Sequence, residues 1–172
     1  MNELQRYNNE LMGRILRDGL ADAFQVFCDS MGSHARYGGA IVIAVTRNDF
    51  TEGYSLTSTF GNPGIKFAGY ARNANEKVAR LLARQAGGNA DVASSQSADP
   101  TNPDERLRTY GGAVSFTASF EGIEAIVYVS ISGGPPENDE AMSLALGQRL
   151  ALEVVRGFDN PLTKRAFAAS SN

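Results

Sequence analysis

The stretch 113–131, AVSFTASFEGIEAIVYVSI, constrains the fold more than any other part of the chain. Its first eight residues alternate, Glu121-Gly122 makes a two-residue turn, and Ile123, Ala125, Val127, Val129 and Ile131 then share one face. So short a turn joins only antiparallel strands. A second pair lies upstream. Residues 40–46 (AIVIAVT) are a β-branched run, and in GYSLTSTF, 53–60, Tyr54, Leu56, Ser58 and Phe60 alternate with Gly53, Ser55, Thr57 and Thr59. The polar turn Arg47-Asn48-Asp49 joins these two strands. Neither pair leaves room for a crossover helix, which disfavours a Rossmann fold and predicts a mainly antiparallel sheet of four or five strands.

Between the pairs the period changes to that of a helix. From Lys66 to Gln85 the side expected to be buried carries Phe67, Ala71, Ala74, Val78, Leu81 and Leu82, and Gly87-Gly88 stops the run. Residues 3 to about 30 read as a helix with Leu4, Tyr7, Leu11 and Ile15 on one stripe, continued by Leu20, Phe24 and Phe27. A last helix is expected from Pro136 to Arg156, with Met142, Ala145, Leu146, Leu150 and Val154 inward. The order is helix, two strands, helix, long loop, two strands, helix: an α/β (α+β) domain with helices laid against the sheet. Residues 87–109, rich in Ser, Asn, Asp and Pro, read as a surface excursion, a lid or an oligomer contact. With 172 residues, 42% hydrophobic and 20% charged, the chain reads as one domain over 1–172 whose tail, 157–172, frays.

A net charge of −3 with 16 basic residues spread along the chain gives no electrostatic footprint for nucleic acid. No run is apolar enough for a signal peptide or a membrane span, so a soluble cytoplasmic protein is expected. Cys28 falls among Phe24, Val26 and Phe27 and reads as a buried structural thiol. His34 is the single histidine, which rules out a His-cluster metal site; it reads as a surface residue, with axial haem ligation as the alternative.

Ser132-Gly133-Gly134 stands between a strand and a helix, where many proteins cradle phosphate. Here Pro135 and Pro136 have no N–H to offer, and Glu137, Asp139 and Glu140 place negative charge in the first turn. The stretch therefore reads as a helix entrance, with proline at N1 and acids on the dipole.

Tyr110-Gly111-Gly112, the strand pair after it, Val129-Ser130-Ile131-Ser132-Gly133 and Glu137-Asn138-Asp139-Glu140 together resemble the C-terminal half of the GlcG/HbpS-type proteins, also known as the haem-degrading or PduO C-terminal-like domain. The helix bearing Asn73, Lys77 and Val78 is similar to that family's Lys-bearing central helix, so the resemblance covers residues 38–156. It implies a profilin-like three-layer α/β/α domain, a symmetric homo-oligomer, and binding of haem or a related corrinoid, often with no assigned reaction. The ligand site it implies lies where Lys77 approaches Tyr110, Gly111, Gly112 and Asp139. Lys77, with Arg72, Arg80 and Arg84 near it, could pair with carboxylates of a ligand, and Tyr54, Tyr70, Tyr110 or Tyr128 could supply an iron ligand. Against these stand plain readings: a solvated cationic helix face, core-edge tyrosines, and structural ion pairs for Glu76 and Asp139. No nucleophile, metal set or acid/base pair stands out, so no catalytic residue is assigned. The competing function is an oligomeric accessory module with no ligand.

Overall fold

Strands form where the alternating and β-branched residues fall: β1 (Gly39–Arg47), β2 (Gly53–Phe60), β3 (Ala113–Phe120) and β4 (Ile123–Ser132). Helices α1 (Glu3–Arg17), α2 (Phe67–Ala86) and α3 (Pro136–Arg149) take the segments of helical period. The computed structural model describes residues 2–17, 38–104 and 111–150. The outer parts of the expected first and last helices, the tail, Cys28, His34 and Tyr110 lie outside the described residues.

All strand pairs are antiparallel, in the order β2-β1-β4-β3. Each expected hairpin is present. In the Glu121-Gly122 turn both residues have positive φ, 49° and 82°, the primed turn that matches strand twist. The two hairpins join along β1 and β4, from Ala40 opposite Ser132 to Arg47 opposite Ala125.

Helices cover both faces of the sheet. Ile41, Ile43 and Val45 of β1, with Val127, Val129 and Ile131 of β4, pack against Leu4, Leu11 and Ile15 of α1 and Met142, Leu146 and Leu150. The intervening Val42, Ala44, Ile126 and Tyr128 pack against Ala74, Val78 and Leu81 of α2. The central strands are therefore buried on both sides, which explains why β1 reads as a continuous apolar run. In α2 the buried stripe is narrower than its sequence suggests, because Phe67 is 38% exposed.

The described part of the loop after α2 is more than a surface excursion. Ala93 forms an antiparallel bridge with Val114, and Val92 O accepts the Ser115 N–H at 2.8 Å. A 3-10 turn, Ser94–Ser97, follows, and buried Ser94 accepts the Ala113 N–H on its Oγ at 3.0 Å. The segment thus covers the outer edge of β3.

Candidate functional site

β4 leaves the sheet at Ser132 and turns through Gly133-Gly134 into α3, which Pro136 opens at its first turn. The acids that follow do not all face solvent. Asp139 is 2% exposed: its Oδ1 accepts the Gly134 N–H at 2.9 Å, and its Oδ2 lies 3.3 Å from Lys77 Nζ. The chain's own carboxylate therefore occupies a free N–H at this helix entrance. Glu140 is also engaged, accepting the Ser95 N–H at 3.0 Å and the Ser95 hydroxyl at 2.6 Å.

Lys77 reaches this point from α2 on the opposite face of the sheet and also donates to Ile131 O at 3.1 Å. Gly112 makes room for it. At φ +126°, Gly112 has a conformation side chains rarely adopt, and a Cβ there would stand 2.4 Å from Lys77 Nζ. A Cβ on Gly111 would meet Pro136 O at 2.5 Å. Gly112 O accepts from Ile131 N at 2.8 Å and from Ser143 Oγ at 2.7 Å. The Ser143 hydroxyl also lies 2.9 Å from Asp139 O, so its single proton is shared between two carbonyls.

Four of the five residues expected at the site, Lys77, Gly111, Gly112 and Asp139, are thus brought together around the sheet's end. The fifth, Tyr110, lies outside the described residues. Burial raises the Asp139 carboxyl from 3.8 to about 6; Lys77 and the Gly134 and Gly133 N–H groups pull it down without offsetting that desolvation.

The other sequence candidates are dispersed. Tyr128 donates its hydroxyl to Gln85 Oε1 at 2.6 Å beneath α2, and burial pushes its phenol up to about 12. Tyr54 sits at the far end of β2 and donates to Glu52 at 2.9 Å. Arg84 pairs with Asp91. Tyr70 is half-buried on α2, two turns before Lys77 and about 10 Å from it along the helix axis.

Two residues not singled out as ligand contacts in the sequence stand beside this set. Asn73 Oδ1 and Ser130 Oγ are buried without a hydrogen-bond partner. Asn73 precedes Lys77 by one helical turn, and Ser130 precedes the Ile131 whose carbonyl Lys77 holds. The i, i+4 spacing of Asn73 and Lys77 was the available signal for the first; nothing in the strand pattern marks Ser130. An open depression of about 370 Å³ lies at the opposite end of the sheet, lined by Arg47, Asn48, Asp49, Gly122, Ile123 and Glu124. Among the described residues no group of His, Cys, Asp and Glu is placed to hold a metal ion, and no helix is long and apolar enough to cross a membrane. No family model, curated protein or solved structure matches the chain.

Proposed function

We propose that this protein binds a small acidic ligand at the end of the sheet where α2, the entrance to β3 and the start of α3 meet, with haem or a related corrinoid as the first class to test. The observation that carries the reading is the buried Lys77–Asp139 pair. Burying two charges costs stability that a hydrophobic pair would not, and an acid held far from its ordinary pKa is the kind of group binding sites contain. Asn73 Oδ1 and Ser130 Oγ, buried and unpartnered, support it, because such groups cost free energy until something binds them. In this reading a ligand carboxylate replaces Asp139 as the partner of Lys77. Among the described residues Tyr70 is the phenol on the same helix as Lys77 and nearest it in sequence; His34 and Tyr110 are the other candidates for an iron ligand.

Hemin titration tests this reading. Saturable binding near one equivalent per chain is expected, weakened about 10- to 100-fold in Lys77→Met/Asp139→Asn, which removes both charges together and leaves neither stranded. Tyr70→Phe, Tyr110→Phe and His34→Ala then identify an iron ligand by a change of spectrum. Non-saturable binding of both hemin and cobalamin, indifferent to the double substitution, sinks the reading.

A second reading, an accessory module that acts by association, is favoured by one feature. Ile65 is fully exposed and Phe67, two residues on, is 38% exposed at the start of α2. Isolated apolar side chains are ordinary on a surface; two together at a helix start mark a contact surface when other features coincide there.

A further inference from the structure

The sheet has two edges, and they are treated differently. The outer side of β3 is covered by Val92, Ala93 and Ser94. Among the described residues nothing pairs with the outer side of β2. This strand is eight residues long, Gly53–Phe60, and its register with β1 runs unbroken from Gly39 opposite Phe60 to Thr46 opposite Gly53, so no bulge twists the edge away. It holds no charged residue and no proline. Monomeric proteins commonly blunt an open edge with such devices or with a short strand, and among the described residues β2 has none of them.

What the edge presents suits a copy of itself. Ser55, Thr57 and Thr59 are exposed on the face shared with α2, and pairs of such side chains across antiparallel strands are favourable. A two-fold axis sets equivalent residues near each other, which penalises any strand carrying charge; β2 is neutral throughout. Ile65 and Phe67, the exposed apolar residues of α2's entrance, lie five and seven residues beyond the strand.

We infer that β2 is a self-association edge: two copies of this chain pair their β2 strands antiparallel about a two-fold axis and form one continuous eight-stranded sheet. The main-chain hydrogen bonds set the register, and Ile65 and Phe67 supply the apolar part of the contact. This inference does not depend on the ligand reading, and its test has a separate readout.

The full chain is examined by light scattering across micromolar concentrations, together with amide hydrogen exchange. The expected result is a dimer, with amides in 54–59 gaining protection as concentration rises. Ser55→Lys/Thr59→Lys, which adds like charges at exposed positions, should weaken dimerisation at least ten-fold with an unchanged circular dichroism spectrum, while Ala86→Lys at the exposed end of α2 leaves it intact. A monomer at every concentration overturns the inference. So does a dimer whose dissociation ignores the β2 lysines, whose β2 amides exchange independently of concentration, or which Ala86→Lys dissociates equally.

Discussion

Lys77 Nζ and Asp139 Oδ2 lie 3.3 Å apart across 62 residues of sequence, with side chains 13% and 2% exposed. The pair joins the helix on one face of the sheet to the helix on the other. Removing one partner strands the second as a buried charge, so Lys77→Met should cost about 3 kcal/mol at pH 7 in urea denaturation. Adding Asp139→Asn should recover most of that loss. A single mutant within about 0.5 kcal/mol of wild type would show that the pair holds nothing.

The pH dependence has a definite sign. Asp139 binds its proton more tightly folded, at about 6, than its ordinary 3.8. Between those values the unfolded chain holds fewer protons, so this group's contribution falls as pH rises from about 4 to about 6 and is level above. The change amounts to about 3 kcal/mol. Asp49, Glu52 and Asp99 are shifted the other way by their hydrogen bonds. The difference between wild type and Asp139→Asn isolates the term: wild type should lose stability relative to the variant over that window.

Gly112→Ala should be among the most damaging single methyl additions in the chain. Positive φ and contacts of 2.4 Å to Lys77 Nζ and 2.7 Å to Ile131 O act together, for a cost of about 3 kcal/mol. Gly64→Ala is the control: φ is also positive, at +54°, but no atom lies within 4 Å. It should cost about 1 kcal/mol.

Glu121→Asn should stabilise the protein by about 0.5 kcal/mol. Glu121 holds φ 49°, which asparagine tolerates better, and the variant creates the Asn-Gly pair favoured in this turn. The exposed ion pair between Glu121 and Arg6 that is lost contributes little. A lower Tm would mean that the ion pair outweighs the turn.

The fold was legible because its signals are local. Alternation and tight turns marked both hairpins, and Pro136 with its acids marked the start of α3. The covering of β3 by Val92 and Ala93 was not legible, since a two-residue pairing has no period to detect. Phe67 was expected inward because hydrophobicity marks a helix face and not the width of what covers it. At the site, the family resemblance is what points to Lys77, Gly111, Gly112 and Asp139. The sequence assigns the acids of α3's first turn to the helix dipole and offers Asp139 a structural ion pair as its plain reading; Asp139 turns inward to Gly134 and Lys77 and makes such a pair. That orientation is decided by a lysine 62 residues away, which no local rule contains.

The seam between β1 and β4 also shapes how the chain reaches this structure. Each hairpin closes over a few residues, but Ala40 finds Ser132 only after the whole intervening chain has been gathered in. Loop-closure entropy is therefore spent before the central contacts return anything, and folding should be slower than in a helical bundle of this length. Lys77 and Asp139 stand on helices that pack on opposite faces of the sheet and meet only once both helices have docked. Their pairing then belongs to the late part of the reaction, and its loss should appear chiefly as faster unfolding, with the folding rate little changed.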